Sequence, residues 1–137
     1  MIFANVVLRK GTQQEHGAHG ADAMMEDLEK LGYQEIILKS DGEPAMKSVQ
    51  EEVQRRRSAQ TILENSVPGD SKTNGAAERA VKAVGEQVRV LRAGLQARLN
   101  MIIRTSHPML TWLVQHAADC LSKYHMGEDG KTAYERL

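Results

Sequence analysis

The residues best placed to do chemistry are two carboxylates, Asp41 and Glu78. Asp41 follows the apolar run Ile36-Ile37-Leu38, so it sits just past the carboxyl end of an expected buried strand, where ligands of open α/β sheets gather. Glu78 falls in the first turn of an expected long helix, immediately after an expected flexible loop. Magnesium takes a few carboxylates together with substrate phosphate oxygens rather than an all-protein cage. Two such ions a few ångströms apart clamp the attacking and leaving oxygens of a phosphodiester. The same positions also have plainer roles. Asp41 can cap a helix, and Glu78 can complement the positive end of a helix dipole.

The helix that carries Glu78 adds a second feature. At about 100° per residue, Glu78, Lys82, Arg89 and Arg92 fall within a sector of roughly 80°. The apolar positions Ala77, Val81, Val84, Val88, Leu91 and Leu95 form a stripe centred roughly 100° from Glu78. Arg79, Lys82, Arg89, Arg92, Arg98 and Arg104 are opposed over residues 79–104 only by Glu86, whereas Asp22, Glu26, Asp27 and Glu29 face Lys30 alone in an earlier helix. A basic row beside a carboxylate suits a phosphate-backbone track. A solvated helix face has the same composition, and both readings stay open on these residues.

Several elements must position these groups. Residues 1–8 are apolar and β-branched and read as a strand. Residues 11–20 read as a polar loop. From Ala21 the apolar residues Met24, Met25, Leu28 and Leu31 make a helical stripe that Gly32 stops. Residues 34–39 read as a buried strand. Pro44 opens a helix with Ala45, Val49 and Val53 inward, closed by Arg55, Arg56 and Arg57. Residues 59–63 read as a strand, 65–75 as a loop, and 76–99 as the long helix. Pro108 opens a further helix with Met109, Trp112, Leu113, Ala117, Cys120, Leu121 and Tyr124 inward. A turn at 127–130 precedes a capping box, Thr132 to Glu135, that starts a last short helix. This order argues an α/β fold with a partly parallel sheet.

Composition bounds the function. The 137 residues suit one domain, and 41% hydrophobic with 26% charged residues suits a packed core. Lys+Arg and Asp+Glu are both 18, so any nucleic-acid binding must rest on local charge. The single Cys120 excludes an internal disulfide framework and a multi-cysteine zinc site, and points to an intracellular setting. No run approaches the ~20 apolar residues of a membrane span, so no membrane partner is expected. Arg9 and Lys10 follow the opening apolar stretch, the wrong order for a signal peptide. Aromatic residues at 4% argue against a base-stacking platform.

Two stretches carry a resemblance to a known family. They are Leu38-Lys39-Ser40-Asp41-Gly42-Glu43-Pro44-Ala45 and the segment from Glu64 to Val81, with Asn74-Gly75-Ala76-Ala77-Glu78 at its heart. Both resemble the catalytic core of retrotransposon and retroviral integrases, and Tyr134-Glu135-Arg136-Leu137 resembles the end of such cores. The resemblance implies a ribonuclease H-like fold and a divalent-metal-dependent strand transfer that joins a DNA 3′-hydroxyl to a target phosphodiester. It implies Mg²⁺ or Mn²⁺ as cofactor, DNA as partner and a nuclear place of action. Asp41 and Glu78 are then the second and third metal-binding acids. Ser71, Lys72 and Asn74 lie in the loop that packs near donor DNA. Lys82 matches a position that touches the DNA end, with Arg79, Arg89 and Arg92 along the same helix. Gly85 departs from the basic residue of the retroviral pattern.

The family's first acid has no counterpart in these residues. No Asp precedes Glu15; Asp22 and Asp27 belong to a helix, and Asp70 to a loop. The expectation is therefore an incomplete ribonuclease H-like domain spanning 1–137, truncated before its first strands, with impaired strand transfer. The alternative is a non-enzymatic module that binds nucleic acid, or that dimerises or associates with full-length integrase through helical faces.

Other residues have plainer readings. His16 and His19 are spaced like half a metal site but read as a loop pair. His116 and Cys120 lie on the expected inner stripe of one helix. They could form a nucleophile pair by spacing, but no third orienting group is evident, and a core histidine and a small buried hydrophobe fit better. Trp112 reads as a core anchor or an interface residue.

Overall fold

The computed structural model describes residues 1–7, 18–66 and 71–137, with side chains throughout except at 18 and 71–74. The architecture is mixed α/β. Helix α1 spans Ala18–Leu31, strand β1 Glu35–Ser40, helix α2 Pro44–Arg56, strand β2 Gln60–Asn65, helix α3 Ser71–Leu99 and helix α4 Met109–Tyr124, followed by a 3-10 turn at Tyr134–Arg136. The chain divides into two compact units, one of residues 7–76 and the other of residues 1–6 with 77–137.

The first unit is a β-α-β arrangement with α1 packed on α2. Strands β1 and β2 are parallel and in register from Glu35↔Gln60 to Ser40↔Asn65. Parallel strands need a crossover, and α2 supplies it. Pro44 fits the first turn of α2, whose missing N–H is unpaired there in any helix. Alternation in the strands sends Ile36, Leu38 and Thr61 toward the helices and Ile37 and Ile62 to the other face. The core joins Ala21, Val49 and Val53 with Met24, Met25, Leu28 and Leu38. Gln50, buried among them, donates from Nε2 to the Leu38 carbonyl at 2.7 Å and accepts the Ser40 hydroxyl at 2.9 Å. Gly32 ends α1 at φ 70, a conformation glycine adopts without steric cost.

The second unit is helical. Val84, Ala117 and Ala118 form its core, with Ile2, Ala4, Val88, Leu91, Val114 and Leu121 packed against it. The segment between α3 and α4 is tied back to α3: Ile103, 1% exposed, donates its N–H to Gln96 Oε1 at 2.9 Å, and its carbonyl accepts from Arg92. At the far end Met126 and Thr132 form an antiparallel bridge. The capping box forms as the sequence indicates. Thr132 N–H donates to Glu135 Oε2 at 2.7 Å and Glu135 N–H to Thr132 Oγ1 at 3.2 Å.

Several expectations change. The strand expected over 34–39 forms but is covered on one face only, since Ile37 is 63% exposed. Residues 1–7 form no strand, although the expectation spans 1–8; residue 8 lies outside the described residues. Their apolar side chains Ile2 and Ala4 are drawn onto the helical core, and the Ser122 hydroxyl takes the Ile2 N–H at 2.9 Å and donates to its carbonyl at 3.1 Å. The long helix starts at Ser71, not at 76, because extending a helix is cheap once a turn exists, even through Gly75. Helix α1 begins at Ala18, inside the expected loop of 11–20, of which residues 11–17 lie outside the described residues. On α4, Met109, Trp112 and Tyr124, expected inward, are 36%, 55% and 76% exposed, because Leu113, Ala117 and Ala118 already fill the narrow buried arc.

Candidate functional site

Asp41 follows directly on β1. Its Oδ1 accepts the Glu43 N–H at 3.1 Å, and Gly42 between them holds φ 78. This turn delivers the chain to α2 and leaves the Asp41 carboxylate exposed. The residue is thus a turn-former as well as a candidate ligand, and the N-cap itself is Glu43. Around it the strand ends are cross-tied. The Ser66 N–H donates to the Ser40 carbonyl at 2.8 Å, the Ser40 hydroxyl lies 3.3 Å from Asn65 Oδ1, and Lys39 pairs with Glu64 at 2.5 Å.

Glu78 is exposed on α3. Because that helix begins at Ser71, Glu78 lies beyond its first turn, and the expected dipole role lapses: the helix field falls off within the first turn. Asp41 belongs to the first unit and Glu78 to the second. Among the described residues, no three histidine, cysteine or acidic side chains group as metal ligands. A two-metal centre needs several carboxylates around the ions. The described residues do not make up such a centre, so the expected Mg²⁺ or Mn²⁺ has no complete ligand set among them.

The basic side chains of α3 separate into two kinds. Arg79, Lys82 and Arg89 are exposed, and no ion pair among the described residues engages them. Arg92 is half-buried. Its terminal nitrogen donates to the Ile103 carbonyl, and its buried Nε has no hydrogen-bond partner among the described residues. Arg92 therefore braces the segment after α3, a role that depends on a contact eleven residues away and leaves no mark in the helical periodicity. Ser71, Lys72 and Asn74 lie in the opening turns of α3 rather than in a loop, and their side chains lie outside the described residues. His16 also lies outside them, so the spacing of His16 and His19 is not described.

On α4, Trp112, His116 and Cys120 follow one another at four-residue spacing and touch. The Trp112 and His116 rings stack with centroids 4.7 Å apart and planes 11° from parallel, and Cys120 Sγ lies 3.5 Å from His116 Nε2. The sequence places all three on one stripe, but their mutual contact is a finding of the structure.

No helix among the described residues is long and apolar enough to cross a membrane. Comparison with models of protein families gives no match, and comparison with curated proteins gives none either.

Proposed function

We propose that this chain is related to the integrase catalytic core of the retrotransposon type, ribonuclease H-like in descent, and that it acts on DNA in the nucleus. Its strand transfer, a divalent-metal-dependent phosphoryl transfer using Mg²⁺ or Mn²⁺, is impaired. The observation that carries the DNA part is the exposed row of Arg79, Lys82 and Arg89 on α3, free of ion pairing among the described residues. Cations held on a rigid helix without a protein counter-charge can neutralise phosphates and release counterions. Two further features support the descent: a parallel β1-α2-β2 unit with Asp41 at the carboxyl end of β1, and Glu78 on the long helix that follows. The impairment rests on the lack of a third ligand beside either acid among the described residues.

That same observation favours a second reading, a non-enzymatic module that binds DNA or associates with itself or with full-length integrase. Duplex binding measured over a salt series tests the shared part. Replacing Lys82 and Arg89 by alanine is expected to weaken binding on every sequence and to reduce the log–log salt slope by about 1.8. Unchanged affinity would sink the phosphate track. Nicking of supercoiled plasmid then separates the readings. Weak metal-dependent nicking lost in Glu78→Gln supports a residual enzyme, whereas no nicking, with binding unaffected by Asp41→Asn, supports the module.

A further inference from the structure

We infer that the free edge of β1 docks a second copy of this chain, the two β1 strands pairing antiparallel about Ile37 into one continuous sheet. This pairing is independent of the integrase reading and uses a different surface from the helical faces that the resemblance implies. Among the described residues the sheet holds β1 and β2 only, so β1 keeps an edge that no strand covers. The Ser66 N–H donates to the Ser40 carbonyl, so the main-chain groups of Ser40 face β2. Alternation turns those of Ile36 and Leu38 the same way and those of Glu35, Ile37 and Lys39 to the open edge. No hydrogen bond among the described residues engages the main-chain groups of these three.

The residue order of β1, Glu-Ile-Ile-Leu-Lys-Ser, complements its own reverse. A two-fold axis at Ile37 sets Ile37 against Ile37 of the second copy, Glu35 against its Lys39, and Lys39 against its Glu35. These are the residues whose main-chain groups face the edge, so each pair exchanges both N–H···O bonds. Their side chains share the outer face of the sheet, where Glu35 and Lys39 are exposed and Ile37 is 63% exposed. Opposite charges directly across an antiparallel pair stabilise it, and like charges destabilise it. Lys39 already holds Glu64 at 2.5 Å within the chain, and its ammonium has donors to spare for a second carboxylate. The charges also fix the register. A slip of two residues loses both new ion pairs, and in one direction it sets Glu35 against Asp41 of the second copy. Strand β2 offers no equivalent: its one charged residue is Glu64, so two β2 edges would gain no ion pair. The contact is isologous and consumes the β1 edge of each copy, so it closes at a dimer.

Sedimentation velocity of the full chain over a concentration series is expected to show a monomer–dimer equilibrium. Glu35→Lys sets a lysine against Lys39 of the second copy, and Lys39→Glu sets a glutamate against its Glu35. Each is expected to weaken dimerisation at least tenfold. An equimolar mixture of the two variants is expected to restore it, because every cross-strand pair then joins opposite charges again. Circular dichroism checks that each variant folds, and cross-linking decides if one does not. In a Cys120→Ser background, Ile37→Cys places two thiols on Cα atoms about 5.5 Å apart, within disulfide reach, and oxidation is expected to give a covalent dimer. Ile62→Cys lies on the same face but on β2, three strand spacings or about 14 Å from its counterpart, and is expected to give none. A native chain that stays monomeric at every concentration, charge variants that dimerise as tightly as the native chain, or Ile62→Cys cross-linking as readily as Ile37→Cys overturns the inference.

Discussion

The side-chain amide of Gln50, 1% exposed, donates to the main-chain carbonyl of Leu38 at 2.7 Å, fastening the crossover helix to the strand that precedes it. The same side chain accepts the Ser40 hydroxyl, one residue before Asp41. A buried polar group of this kind stabilises only while its partners are present. Replacing Gln50 by alanine is expected to cost about 2–4 kcal/mol, combining two lost hydrogen bonds and a void. Urea unfolding checks it, and a midpoint equal to that of the native chain would contradict the role.

Arg92 and Arg89 occupy neighbouring turns of one helix but differ in setting: Arg92 donates to the Ile103 carbonyl, and Arg89 is exposed. Arg92→Ala is expected to destabilise the helical unit by about 1–3 kcal/mol, since it frees the Ile103 carbonyl beside a buried side chain. Arg89→Ala is expected to stay within about 0.5 kcal/mol of the native chain, as exposed substitutions do, and, on the proposed DNA reading, to weaken DNA affinity. Thermal denaturation of both variants distinguishes the two. Equal melting temperatures would show that the Ile103 contact contributes nothing.

Asp129 is held at about 2, below its ordinary 3.8, first by the hydrogen bond from the Arg136 guanidinium and then by the Lys131 backbone N–H. A carboxyl depressed by folding stabilises the folded state above its unfolded value, and that contribution disappears as pH falls through the folded value. The window here runs from 3.8 down to about 2. NMR titration of the Asp129 carboxyl is expected to show the low midpoint, and in Arg136→Ala a rise toward the ordinary value. A midpoint indifferent to Arg136 would assign the shift elsewhere.

The capping box makes a local prediction. Thr132→Ala removes the acceptor of the Glu135 N–H and is expected to cost about 1 kcal/mol. Faster hydrogen exchange at the Glu135 amide, with α3 unaffected, is the expected signature. Unaltered exchange there would mean that the 3-10 turn stands without its cap.

Legibility in the sequence followed the range of the interactions. The β1-α2-β2 unit was readable because an apolar run, a proline and a β-branched run are local signals. The capping box was readable because its partners stand three residues apart. The opening segment was not, because an apolar β-branched run is compatible both with a strand and with an extended chain laid on helices; the bond between Ile2 and Ser122 that decides it spans 120 residues. The start of α3 was hidden because Ser71 to Gly75 are loop-forming types that a helix tolerates at its end. Asp41 and Glu78 were placed on the right elements, but Glu78 lies deeper in its helix than the composition of the preceding residues indicates.

The pairing of β1 with β2 also bears on how the first unit assembles. Every matched pair in the ladder, from Glu35↔Gln60 to Ser40↔Asn65, is separated by the same 25 residues of chain. The first pair to meet therefore bears nearly the whole loop-closure entropy, and each later pair adds almost none. The two strands should zip in a single kinetic event, with α2 already wound between them to shorten the span. A substitution that unwinds α2 would slow the folding rate, whereas one at the solvent face of β1 would mainly hasten unfolding.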